Sequence, residues 1–180
     1  MEIFEVFKHT ISGKEFFIKN GAFGSGEHET TAGCLKMLEL IDVRDKNILD
    51  VGCGTGVLSV GASVLGAKSV VSFDISFEAC MTTKENFNFN NVSNGFVVCC
   101  YSDAIAGKFD VIFANIYVDV ILHLVDFMQN SIVKEGFLIL SGIPIEEYWT
   151  VKSVFEKKVL FEVKSIYHED FVTILMRRGV

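Results

Sequence analysis

The residues best suited to chemistry in this chain stand where short apolar runs end. The run NILDV, residues 47–51, passes directly into Gly52-Cys53-Gly54-Thr55-Gly56 and then into a second apolar stretch. Glycine is required where a Cβ would clash or where φ must be positive, so such a turn lets backbone amides approach a ligand closely. Gly52, Gly54 and Gly56 are therefore candidate ligand contacts. The spacing is G-x-G-x-G, with Val57 where a dinucleotide fingerprint needs its third glycine, which argues against a nicotinamide dinucleotide. Asp74 closes the next apolar run, 22 residues after Gly52. An acid there is placed to accept both ribose hydroxyls of an adenosine ligand; capping the helix that follows Ser76 is its other use. Asp50 precedes the turn and is buried if its strand is central, and a buried carboxylate needs a backbone amide or a ligand cation as partner. Asp103, in the stretch CCYSDA, is either an acceptor for an adenine amino group or a plain turn aspartate.

A second polar cluster lies in NGAFGSGEHETTAGCL, Asn20 to Leu35. Its flexible glycines let the loop approach a ligand, and Thr30 and Thr31 supply hydroxyls and backbone donors at a helix start. His28 sits between two glutamates, but one imidazole with adjacent carboxylates lacks metal-ligand spacing. A loop-stabilising histidine is expected there, and no metal.

These groups need a scaffold, and the apolar pattern supplies one. The first 19 residues read as a hairpin about Ser12-Gly13, with EIFEVF and EFFIK as its arms. From Thr31 to Ile41 the apolar residues 34, 35, 37, 38 and 41 follow a helical period. Strands are then expected at NILDV, VVSFD, GFVVCC, FDVIFAN and GFLILSG. Between them fall helices at residues 57–67, from the Ser76 cap to Asn90, over 117–130, and from Pro144 to near Lys158. Leu122, Val125 and Phe127 are expected on or near one side of the third. The last stretch, VLFEVKSIYHEDFVTILMRR, has no room for a helix between its strands and reads as an antiparallel hairpin. Strands separated by helices need right-handed crossovers and a parallel sheet. The expectation is an α/β, doubly wound, seven-stranded and mostly parallel sheet whose last strand is antiparallel.

Composition sets the bounds. At 180 residues a single domain is expected, and half the residues are apolar, including 17 phenylalanines. No apolar run reaches the ~18 residues of a membrane span, and the acid at position 2 does not suit a secretory signal, so a cytoplasmic protein is expected. The net charge of −7 favours basic partners and argues against a general nucleic-acid binder. The five cysteines show no paired or zinc-like spacing and read as buried, reduced thiols.

Taken together, Phe23-Gly24-Ser25-Gly26-Glu27-His28-Glu29-Thr30-Thr31, LDVGCGTG, SFD, FANI and the LSGI of residues 140–143 resemble the class I S-adenosylmethionine-dependent methyltransferases. The resemblance is closest to the PrmA-type enzymes that methylate amino groups of bacterial ribosomal protein L11. That family carries F-G-T-G-x-H-x-T-T, with Ser25 the one departure here. The match runs over roughly residues 20–177, giving a hairpin at 1–19 and a catalytic core at 20–180. It implies S-adenosyl-L-methionine as cofactor and a loop that closes over it. Thr31, Gly52, Asp74 and Asn115 match the family's cofactor positions. It also implies that Asn115 stands beside the reactive methyl, where its oxygen can orient an amine; a strand-end asparagine turning the chain is the alternative. Family members usually carry an N-terminal domain that grips the ribosomal protein, whereas 22 residues precede Phe23 here. The acceptor is thus left open between that protein and another protein or small molecule.

Overall fold

A computed structural model describes residues 5–21 and 26–180, so Phe23, Gly24 and Ser25 of the nine-residue stretch lie outside the described residues. A hairpin about Ser12-Gly13 is observed, with β1 (Val6–Ile11) and β2 (Lys14–Lys19) paired antiparallel. Of the expected first arm, EIFEVF, residues 2–4 lie outside the described residues and only Val6 and Phe7 fall in β1, which runs on to the turn. Ser12 and Gly13 both take positive φ in its turn, the conformation that matches the twist of two-residue hairpins.

The remaining strands are β3 (Asn47–Val51), β4 (Ser69–Asp74), β5 (Gly95–Cys99), β6 (Phe109–Asn115), β7 (Ile132–Pro144), β8 (Leu160–Tyr167) and β9 (Phe171–Arg178). They form one sheet in the order β5-β4-β3-β6-β7-β9-β8. The first five of these in chain order pair parallel, and β9 runs antiparallel to both its neighbours. The doubly wound sheet with an antiparallel last strand is thus the observed fold.

Helices α1 (Glu29–Leu38), α2 (Val57–Val64) and α3 (Phe77–Phe89) cover one face with the hairpin, and α4 (Val118–His123), α5 (Val125–Ser131) and α6 (Tyr148–Glu156) cover the other. Alternation along the strands divides the core. Ile48, Val70, Val111, Phe113, Ile139 and Leu175 face the first layer, while Leu49, Phe73, Ile112, Leu138, Leu140 and Ile174 face the second. Among the described residues no helix is long and apolar enough to cross a membrane.

The hairpin is held against α3 in an unusual way. Asn90 accepts from the Phe17 amide (2.9 Å) and donates to its carbonyl (2.6 Å); Asn86, one turn earlier, does the same for Lys19 (2.8 and 3.2 Å). Two side-chain amides thereby serve the free edge of β2 as a neighbouring strand would. Ile11, Phe16 and Ile18 are buried among α1 and α2.

Several boundaries differ from the sequence reading. Pro144 ends β7 in extended conformation opposite Phe171 instead of starting a helix; a 3₁₀ turn, Ile145–Glu147, intervenes before α6. A proline lacks a donor but keeps its carbonyl, so a strand end tolerates it. The expected helix over 117–130 is two, broken at Leu124, which leaves the helical region. Its buried stripe is Ile121, Val125 and Met128, with Leu122 and Phe127 only partly covered. All five cysteines are free, but only Cys34, Cys53 and Cys80 are buried; Cys99, on the edge strand β5, is exposed and Cys100 after it is half-buried. Burial pushes the thiols of Cys34 (to about 12) and Cys80 (to about 11) up, so both stay neutral near pH 7.

Candidate cofactor site

The glycine turn lies between β3 and α2, at the carboxyl end of an interior strand of the sheet. Gly52, Gly54 and Gly56 all have positive φ, between 55° and 77°. At Gly56 the requirement is doubled, because an added Cβ would stand 2.7 Å from Thr83 Cγ2. Thr83 fixes the turn from α3 by donating to the Gly54 carbonyl at 2.9 Å, and Asn86 donates to the Thr55 carbonyl at 2.9 Å.

Asp74 ends β4 beside this turn. One carboxylate oxygen accepts from the Gly54 amide (3.2 Å) and the other from the Ser76 amide (2.9 Å). Ser76 itself caps α3, its hydroxyl accepting from the Ala79 amide at 3.3 Å. Asp74 therefore steadies the helix entry and the glycine turn at once. Two backbone bonds leave each oxygen an acceptor position in hand, since an ionised carboxylate has about four. Ile75, next in sequence, is 67% exposed. The chain leaving β5 passes alongside, with the Cys100 amide bonded to the Asp74 carbonyl, and carries Asp103 exposed in a short 3₁₀ turn on the same rim.

Asp50 is placed differently from its companions. It is 2% exposed and faces α2, where Ser59 Oγ donates to it at 2.5 Å and stands 2.7 Å from Ser72 Oγ. Its partners are the hydroxyl and the backbone amide of Ser59 on α2, so the backbone amide the sequence suggested is joined by a hydroxyl it did not. Burial pushes its carboxyl up to about 6; the Ser59 bond opposes this, and the nearby charge of Asp74 adds to it.

The threonine pair opens α1. His28 caps this helix, its Nδ1 accepting from the Thr30 amide (3.3 Å) and lying 2.8 Å from Thr30 Oγ1, while its ring packs on Phe171. It is the loop-stabilising histidine the sequence suggested. Thr30 and Thr31 are both buried, and Asn115 Nδ2 donates to Thr31 Oγ1 at 3.2 Å across 84 residues of chain. Asn115 ends β6 with its side chain on the α1 face. The bond engages its amide nitrogen and leaves the carbonyl oxygen as the acceptor.

Four segments far apart in sequence therefore meet at the carboxyl end of β3, β4 and β6: the threonine turn, the glycine turn, Asp74 and Asn115. The hydroxyls that hold them, Ser59, Ser72, Thr83, Ser141 and Thr173, were not singled out from the sequence. Their signal was a small hydroxyl within an apolar run, as in VVSFD or FVTILM.

A family model described as ribosomal protein L11 methyltransferase (PrmA) matches residues 19–179. The chain belongs to the PrmA family. A Bacillus pumilus ribosomal protein L11 methyltransferase is 36% identical over 159 residues, covering 87% of this chain and 51% of that protein. One from Clostridium perfringens is 39% identical over 148 residues, covering 81% and 46%. The chain thus spans about half the length of the curated relatives it matches. A ribosomal protein L11 methylase structure from Lactobacillus delbrueckii subsp. bulgaricus superposes with a TM-score of 0.82 at 27% identity, covering 86% of this chain and 81% of that one. A Thermus thermophilus 16S rRNA methyltransferase, solved with AdoMet and guanosine, shares the fold with a TM-score of 0.79 at 18% identity.

Proposed function

We propose that this PrmA-family chain is an S-adenosylmethionine-dependent N-methyltransferase acting on protein amino groups, with ribosomal protein L11 the first acceptor to test. The observation that carries this reading is the Asn115–Thr31 hydrogen bond. It joins the family's threonine turn to the polar end of β6, next to the turn and carboxylate that suit an adenosine. The cofactor's name and class come to this chain from its family; the residues present fit it. Asp74 has acceptor capacity left for two ribose hydroxyls, the glycine turn admits close backbone approach, and exposed Ile75 offers a flat base an apolar surface. Asp103 is on the rim where an exocyclic amine would fall. Asp50 lies buried, bonded to Ser59 of α2.

When bound, the cofactor supplies an electrophilic methyl on a sulfonium. What the chain must do is align an amine with it, and alignment of this kind contributes several kcal/mol. The Asn115 carbonyl oxygen accepts from an incoming amine N–H and so points the nitrogen lone pair at the methyl. The amine must be neutral: a lysine with pKa near ~10.4 costs roughly 4.6 kcal/mol to deprotonate at neutral pH, and an α-amine near ~7.7 about 1 kcal/mol. Burial beside a cation lowers the larger cost. The net charge of −7 suits a basic protein partner.

Calorimetric titration with S-adenosylhomocysteine tests the donor site. Micromolar binding is expected, weakened by at least tenfold, about 1.4 kcal/mol, in Asp74→Ala. Labelled methyl transfer to purified ribosomal protein L11 then tests the acceptor. Absence of binding by the unaltered chain would refute the reading, and binding without transfer to L11 would redirect it to another acceptor.

A further inference from the structure

The first turn of α1 is held by more than its cap. Asn115, Ser141 and Thr173 lie on the adjacent strands β6, β7 and β9 and face α1; Asn115 is the register partner of Ser141. Ser141 and Thr173 are fully buried. Ser141 Oγ donates to the Thr30 carbonyl at 3.3 Å and stands 2.7 Å from Thr173 Oγ1, which stands 3.1 Å from His168 Nε2 at the β8–β9 turn. With the Ser141 proton on the Thr30 carbonyl, which can only accept, Ser141 accepts from Thr173, and Thr173 accepts from the Nε2–H tautomer of His168. The same turn reaches α1 twice more: the Glu169 amide is 3.5 Å from Glu29 Oε2, and Phe171 packs on His28. Gly33 makes the approach possible, since a Cβ there would stand 2.4 Å from Thr173 Oγ1 and 2.6 Å from His168 Nε2.

A pair of buried hydroxyls costs more than an alanine and a valine of similar shape unless each bond is made. Here every bond is made, and the series ends on the residue before Thr31, whose hydroxyl holds Asn115. We propose that Ser141, Thr173 and His168 are positioning residues for methyl transfer: a polar strut from the β8–β9 turn that sets the height of Thr31, and through it the direction of the Asn115 carbonyl. The strut rests on the methyltransferase reading for its purpose, though not for its geometry.

Two readouts test it. The first needs no cofactor. In the ¹⁵N spectrum of the free protein, Thr173→Val shifts the Asn115 side-chain amide resonances, identified through Asn115→Asp, and Thr173→Ser returns them toward the original positions. The second is kinetic. Thr173→Val and Ser141→Ala each lower kcat by about tenfold or more while S-adenosylhomocysteine binding changes by less than about threefold, and Thr173→Ser restores most of the rate. An Asn115 amide unmoved in a folded Thr173→Val protein overturns the strut. So does a kcat within about twofold of the original, or a loss of rate that Thr173→Ser fails to restore. An unaltered chain that neither binds nor transfers would sink the methyltransferase reading instead, and the spectrum would still decide the strut.

Discussion

Replacing Asp50 by asparagine should make the protein's stability less sensitive to pH in a calculable way. The carboxyl of Asp50 moves from its ordinary value of 3.8 up to about 6, chiefly through burial. Between those values the native state holds a proton that the unfolded chain has released, so stability falls as pH rises from about 4 to about 6. Above the folded value the buried charge costs roughly two units, or about 3 kcal/mol at ~1.36 kcal/mol per unit; below the unfolded value it costs nothing. Close to half of that cost is already present near pH 5, leaving about 1.4 kcal/mol to accrue by about pH 8. Asparagine keeps an acceptor for Ser59 and cannot ionise. Urea unfolding of both proteins at the two pH values gives four free energies, and their double difference removes the titrating groups that do not interact with Asp50. The variant should gain about 1.4 kcal/mol on the original protein between pH 5 and 8. Parallel profiles, or a gain by the original protein as pH rises, would show that Asp50 is ionised in the native state at no cost and that its bonds to Ser59 satisfy its charge.

Other perturbations test the scaffold around the site. Asn86→Ala removes two bonds to Lys19 and one to Thr55 from a fully buried amide; at about 1 kcal/mol each the loss is about 3 kcal/mol. The thermal midpoint should fall by roughly 6–12 °C for a chain of this size. Gly56→Ala meets both positive φ and Thr83, so its cost should exceed the ~1–2 kcal/mol of left-handed backbone alone and S-adenosylhomocysteine binding should weaken more than about tenfold. Gly13→Ala has a φ of 75° but open space around it. Calorimetry should show unchanged binding for that variant and a loss limited to the backbone penalty. Phe155→Ala, in the α6 core, should cost about 3–5 kcal/mol by denaturant unfolding.

Elements whose signal is local were readable in the chain. NILDV appears residue for residue as β3, and Ser76 caps α3, because an apolar run ended by glycine and a hydroxyl before an apolar period each admit one reading. The Thr31–Asn115 contact was not legible, since no local pattern joins residues 84 apart; the resemblance gave only that each matches a cofactor position. Pro144 was misplaced because proline is equally content at a helix start and at a strand end, and the pairing with Phe171 decides between them. The break at Leu124 has no glycine or proline to mark it. Asp50 shows the limit from the other side: its burial followed from its strand, but its partner lies on α2, nine residues on, and depends on which face of that helix meets the sheet.

The strand order carries a consequence for how the molecule is made. β9 follows β8 in the chain yet lies between β7 and β8. While the chain grows, β8 emerges with no neighbour, and β7 presents a bare ladder on its outer side until β9 slots in. A partly synthesised chain therefore carries two open edges where the finished one has a continuous sheet, and open edges invite pairing with other chains. The residue that closes the gap beside Ser141 is Thr173, on β9 itself. The end of the sheet that holds Thr31 and Asn115 is thus the last part to be completed, and an early-terminated chain would keep the glycine turn and Asp74 while lacking the support under Thr31.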